Sequence, residues 1–158
     1  MNVIAPIRTR RGGQAWRQTT FYPFAETAAH HGSHVLHASV RASLTETARY
    51  GAVADLNAVV TATPLEDNRI SLAAFMVNRG ASPLVVELKH HGFDDLRVVD
   101  FRSIHADDAG PRHDGASASA ARPRAGTAPE SLDGVTTLQL PPESWSVLRA
   151  EAAGALLT

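Results

Sequence analysis

Histidines are the densest group of chemically competent side chains in this sequence. His30, His31, His34 and His37 lie close together, and His30 and His34 are four positions apart. Two imidazoles at that spacing on one helical face could share a metal. Gly32 falls between them and breaks a helix, so they read as surface histidines at a helix-to-strand junction, and no metal is expected. His90 and His91 are consecutive and on a strand would face opposite sides, which rules out chelation. Ser, His and Asp all occur, but no nucleophile elbow accompanies them, so a catalytic triad is not indicated. Trp16 and Trp145 could stack on sugars. Aromatic residues are only 6% of the chain, however, which favours core packing for Trp145, beside Val147, and helix packing for Trp16. Arg8-Thr9-Arg10-Arg11 reads as a solvated loop. There is no cysteine, so disulfides and thiolate metal sites are excluded. No cofactor is expected.

The bulk properties narrow the function classes. Fifteen basic and sixteen acidic residues give a formal charge of −1, which offers no electrostatic footprint for nucleic acid or an anionic membrane. The first residues carry no apolar run of signal-peptide length. No stretch approaches the roughly 20 apolar residues that span a bilayer. The expectation is a soluble, cytoplasmic chain. Its 158 residues suffice for one domain with an appendage.

The elements that would position any site fall into two kinds. Val3 to Ile7 is a short apolar run suited to a buried strand, followed by a polar, Gly-containing loop. Residues 15–31 read as a helix with Trp16, Thr20, Phe24 and Ala28 on one stripe. Pro23 implies a kink or a late start, and Gly32 a stop. That is one βα unit, covering residues 1–31. From His34 the period becomes two. Strands are expected at His34–Ala42, Asp55–Thr63, Arg69–Asn78, Leu84–His90, Leu96–His105, Val135–Leu140 and Trp145–Arg149, with Pro64 to Asn68 as a hairpin turn. Regular short strands with turn signals argue for an antiparallel sandwich over residues 32–150. Residues 107–134 have almost no large apolar side chains and are expected to form a mobile loop. The Ala-rich residues 151–158 are expected to fray.

Several strings in series carry a resemblance. They are Asn2-Val3-Ile4-Ala5-Pro6-Ile7, Gly12-Gly13, Ala15-Trp16-Arg17-Gln18-Thr19, Phe21-Tyr22-Pro23-Phe24, Thr47-Ala48-Arg49-Tyr50-Gly51, Phe75-Met76-Val77-Asn78-Arg79, and Leu140-Pro141-Pro142-Glu143-Ser144-Trp145 onward to Arg149. In order and spacing the chain resembles the C-terminal portion of glycoside hydrolase family 51 α-L-arabinofuranosidases. The resemblance implies a mainly β fold: an antiparallel, jelly-roll-like β-sandwich preceded by one βα unit left over from a (β/α)8 barrel. It also implies, for the full-length enzyme, retaining removal of terminal arabinofuranosyl groups from arabinan and arabinoxylan, within L-arabinose metabolism.

Retention requires two carboxyl groups about 5–5.5 Å apart. The resemblance places both on barrel strands preceding Asn2, and residues 2–24 contain no Asp or Glu. The chain alone is therefore expected to be inactive. The one substrate contact the resemblance assigns here is Gln18, whose amide would donate to one sugar hydroxyl and accept from another. The expected partners are arabinose-containing oligosaccharides through the full-length enzyme, and either the missing barrel portion or a second copy of the chain. Competing expectations are a stand-alone carbohydrate-binding module and a structural or oligomerising sandwich. The family sandwich takes one strand from the protein's N-terminus, so an unpaired sheet edge is expected, as is exposure of Val3, Ile4, Ile7, Trp16 and Phe24.

Overall fold

The computed structural model describes residues 5–105 and 122–154. Two hairpins and two packed antiparallel sheets are present. The first hairpin joins β1 (Ile7–Thr9) to β2 (Ala15–Arg17), and a short helix α1 (Phe21–Ala28) follows. The second joins β4 (Leu44–Thr47) to β5 (Gly51–Ala54).

The larger sheet has six strands. Their sequence order is β3 (His34–Leu36), β6 (Leu56–Pro64), β7 (Arg69–Asn78), β9 (Asp94–Ile104), β10 (Arg124–Ala125) and β13 (Ser144–Ala153); their spatial order is β10-β9-β13-β7-β6-β3. The smaller sheet orders β11 (Glu130–Leu132), β12 (Val135–Leu140) and β8 (Leu84–Lys89) as β11-β12-β8. Every described strand pairing is antiparallel.

The strand sequences explain this layering. β7 reads Ile70-Ser71-Leu72-Ala73-Ala74-Phe75-Met76-Val77 without a charge, because it lies centrally and both its faces are covered. On the inner face Ala74 and Met76 of β7 and Leu148 of β13 meet Val86 of β8 and Leu138 and Leu140 of β12 in one apolar cluster. On the outer face Ala73, Phe75 and Val147 form a separate cluster with Trp145 against it. Trp145, expected in the core, is only partly buried and packs against this outer-face cluster. The β6–β7 hairpin also forms where the sequence places it. Asp67 and Asn68 adopt φ of 58° and 55°, the left-handed geometry that Asn and Asp tolerate best among non-glycine residues.

Four expectations need correction. Residues 15–17 are strand, not helix, and α1 begins only at Phe21. The cause is Pro23. With the helix starting at Phe21 the proline lies in the first turn, where no N–H is required; a start at residue 15 would bury it in the interior. The strand pairs antiparallel with β1, so among the described residues no parallel βα pairing is seen.

The second correction concerns residues 107–134. Residues 106–121 lie outside the described residues, but Arg124–Ala125 pairs with β9 and Glu130–Leu132 with β12. Edge pairing needs only backbone groups, so composition hid it. Gly126 is part of this: its N–H donates to the Phe101 carbonyl at 3.0 Å, and a Cβ there would overlap the Phe101 ring.

The third correction is the tail. Glu151–Ala153 completes β13 opposite Arg69–Ser71, with Ala152 buried and Glu151 bridging Arg69 (2.9 Å) and Arg97 (3.4 Å). Residues 155–158 lie outside the described residues. Lastly, the expected long strand from His34 ends at Leu36, and β4 arises instead at Leu44.

One end of the sandwich is closed by a buried polar cluster. Asn78, 1% exposed, donates through Nδ2 to the carbonyls of Ser82 (2.9 Å) and Pro141 (2.8 Å), and its Oδ1 accepts from Gly80 N–H (2.9 Å). Ser144 Oγ donates to the same Pro141 carbonyl at 2.7 Å. Beside it, the buried Asp55 carboxylate accepts from Ser43 Oγ and from Thr45 Oγ1 at 2.6 Å. Its carbonyl accepts from Arg79 N–H at 2.8 Å. The hydroxyls of Ser43, first, and Thr45 hold the Asp55 carboxyl below the ordinary carboxylate range, against the opposing effect of burial.

Asn78→Ala should destabilise the fold by about 2–3 kcal/mol, since it removes three hydrogen bonds made by one buried side chain; chemical denaturation measures it. The Asp55 contribution is present above the ordinary carboxylate range and is lost as pH falls through the lowered folded value. Between about pH 7 and about pH 3, Asp55→Asn should therefore be the less stable protein at the neutral end and show a flatter acid limb, read from urea midpoints.

Candidate functional site

Gln18 sits where β2 ends and α1 is about to begin. Its N–H donates to the Pro6 carbonyl at 2.8 Å, and its carbonyl accepts from Phe21 N–H at 2.9 Å. The backbone at this position therefore closes the β1–β2 hairpin and opens the helix at once. The hairpin turns through Gly12 at φ 69°, a conformation that suits glycine. Next to Gln18, the Arg17 guanidinium lies 4.6 Å from the Phe21 ring centroid, and Phe21 meets Tyr22 edge-on at 5.5 Å. The segment is thus held by the backbone on one side and by a cation–π contact on the other.

The Gln18 side chain is the unusual part. Its Nε2 is buried and has no hydrogen-bond acceptor among the described residues, and Trp16 Nε1, two residues earlier, is in the same state. Buried donors are nearly always satisfied, and leaving one unpaired costs about 1–3 kcal/mol. The two donors lie two residues apart in this segment. Among the residues expected to be exposed, Ile7 and Phe24 are exposed (52% and 64%), Trp16 is half-buried, and Val3 and Ile4 lie outside the described residues.

Four carboxylates around the sandwich are engaged structurally. Glu26 accepts from Arg149 at 2.6 Å, Asp100 is 2.8 Å from Arg102, and Glu151 and Asp55 are bound as described above. The histidines diverge. His30 stands edge-on to Phe75 with ring centroids 5.4 Å apart, His31 Nδ1 lies 3.1 Å from the Ala28 carbonyl, and His34 begins β3. Among the described residues no three His, Asp or Glu side chains converge as metal ligands. A shallow cleft of about 300 Å3 lies elsewhere, lined by His90, Phe93, Asp94, Leu96 and Asp133 among others. Sequence reading did not find it, since its walls come from separate turns.

The smaller sheet ends at β8, whose outer edge has no partner strand among the described residues, and Val85 there is 70% exposed. Such an edge is a template for a further strand. The only described helix, of eight residues, is too short to cross a membrane.

Comparison with known proteins agrees with this architecture. The family model of the α-L-arabinofuranosidase C-terminal domain matches residues 1–144. An intracellular exo-α-(1→5)-L-arabinofuranosidase of Streptomyces lividans is 38% identical over 94% of this chain and 22% of its own length. An exo-α-(1→6)-L-arabinofuranosidase of Bifidobacterium longum is 36% identical over 96% of this chain and 29% of its own. Among solved structures, a family 51 α-L-arabinofuranosidase from Bifidobacterium longum superposes with a TM-score of 0.80 at 31% identity, covering 94% of this chain and 29% of that one. The chain thus spans under a third of the length of the relatives it matches.

Proposed function

The chain belongs to the α-L-arabinofuranosidase C-terminal domain family, and from that premise we propose that it completes an enzyme removing terminal α-L-arabinofuranosyl groups with retention. In this reading the two carboxyl groups that retention requires come from the larger part of the protein. Residues 1–31 supply the end of the barrel, and residues 32–150 the sandwich. Gln18 is the contribution to the site. Its amide hydrogen-bonds the hydroxyls of the bound arabinofuranosyl group, donating through Nε2 and accepting through Oε1.

The observation that carries the reading is the buried, unpaired Gln18 Nε2 in a segment whose backbone is fixed on both sides. A donor held in place without an acceptor is a preorganised contact awaiting its partner. The open β8 edge supports the same division of the molecule: a strand from the upstream part would pair there and bury Val85. That upstream part, rather than a second copy of the chain, is the partner proposed. A cytoplasmic location is in keeping with relatives named intracellular.

The test substitutes this chain for the corresponding portion of the Streptomyces lividans relative. The chimaera should hydrolyse an aryl α-L-arabinofuranoside, and the 158-residue chain alone should not. Gln18→Ala in the chimaera should lower kcat/KM by roughly 10- to 100-fold, the loss of one or two hydrogen bonds strengthened in the transition state. Turnover by the isolated chain, or full activity of the Gln18→Ala chimaera, would overturn the assignment.

A further inference from the structure

Helix α1 is attached to the sandwich by very little. None of its residues is buried. Two side-chain contacts reach the outer face of the large sheet. Glu26 Oε2 accepts from Arg149 of β13 at 2.6 Å, and the His30 ring, in the turn that ends α1, stands edge-on to Phe75 of β7 at 5.4 Å. Phase of the strands places both sheet residues on the same face: Val147 is cross-strand to Phe75, and Arg149 follows it by two. Trp145, two residues earlier again, stacks on Phe75 with centroids 6.3 Å apart. Since so few contacts hold the helix, a change at one of them decides whether it stays.

We propose that His30 is a proton-operated latch, which holds α1 on the outer face of the large sheet while its ring is neutral and releases it when protonated. The groups facing it define the sign. From β7 it meets the apolar Phe75 ring. From β13 it meets the Arg149 cation. From α1 it meets Glu26, which Arg149 already engages. Behind Arg149, cross-strand on β9, lies Asp100, itself paired with Arg102 at 2.8 Å. The adjacent His31 is exposed and turned to the Ala28 carbonyl. A proton on His30 would therefore lose solvent and add a second cation beside Arg149, with Glu26 only partly compensating.

Burial first, then Arg149, hold His30 below the ordinary imidazole value, and Glu26 opposes them. The docked state thus binds fewer protons than the released one. Docking is complete above the ordinary imidazole value of about 6.5 and weakens as pH falls below it, levelling off once docked His30 also titrates. The latch stands independently of the sugar role proposed for Gln18.

Amide hydrogen exchange at residues 21–28 of the full 158-residue chain tests it, with rates corrected for intrinsic pH dependence. Between about pH 7.5 and about pH 5.5, on either side of the imidazole range, protection should fall several-fold in the unmodified chain. It should stay constant in His30→Phe, which keeps an edge-on ring without a titrating group. Protection that is independent of pH in the unmodified chain, or lost equally in His30→Phe, overturns the latch. Should His30→Phe fail to dock even at the higher pH, an NMR titration of the unmodified chain decides. The His30 ring and the α1 amides must then share one midpoint below the free imidazole value; separate midpoints overturn the proposal.

Discussion

The Asn78 amide is the constraint on which the sandwich closes. It lies at the end of β7, the central strand of the large sheet, and its three hydrogen bonds go to three places. Gly80 and Ser82 belong to the turn that carries the chain to β8 in the other sheet. Pro141 belongs to the turn that returns it from β12 to β13. One side chain therefore fixes both crossings at this end. An apolar residue would pack as well but would forfeit all three bonds, leaving the Pro141 carbonyl to Ser144 Oγ alone and the Ser82 carbonyl and Gly80 N–H without this partner. The same strand end pairs with Leu56, and Asp55 immediately before it anchors the β4–β5 hairpin through Ser43 and Thr45. Hairpin, crossing turns and central strand thus share one polar junction.

From that junction the two faces of the large sheet diverge in character. The inner face is closed by the smaller sheet with apolar side chains and no charge. The outer face begins with the aromatic pair Phe75 and Trp145, then grades into charge. Moving along β13 from Val147, one meets Arg149, then Glu151, each engaged across strands or by α1. A face of this kind is neither a free surface nor a full core. It is suited to a covering element attached by a few specific contacts, which is how α1 is held. The bulges in the β9–β13 ladder near Arg149 and Glu151 fall where the charged residues begin, consistent with the role of bulges in re-aiming side chains.

Much of the sandwich was legible because its signals are local. The apolar run of β7, the Asp67-Asn68 turn and the alternation of β12 each fix an element without reference to the rest. What was illegible depended on partners far along the chain. Arg124–Ala125 and Glu130–Leu132 have the composition of a loop and become strands only because β9 and β12 offer unpaired edges. Ala152 looks like a frayed tail residue until Ile70 stands opposite it, where a small side chain fits the packed interior. Gly126 carried a signal that sequence alone could not weight, since its necessity lies in the Phe101 ring lying against it. The helix start was recoverable in part: Pro23 implied either a kink or a late start, and first-turn geometry selects the latter.

At the candidate site, residue type was legible and its physical state was not. The strings around Gln18 single out the residue, yet only the fold reveals that its backbone is bonded in both directions while its amide nitrogen and the Trp16 indole nitrogen stay buried and unpaired. Those two facts bear on each other. A segment with unsatisfied donors is stable only if other contacts offset their cost, and here the hairpin ladder and the Arg17–Phe21 contact are what is available. To these the helix adds an ion pair, and the turn after it one ring contact, with the sandwich. The N-terminal segment thus buries none of its helix residues, while the sandwich behind it is tied by Asn78 and an apolar core. In a protein where acceptors for these donors arrive from another part of the polypeptide, the segment gains its missing hydrogen bonds at the moment the parts assemble. On the proposed function, order at Gln18 and assembly of the whole are one event, because the groups that stabilise one complete the other.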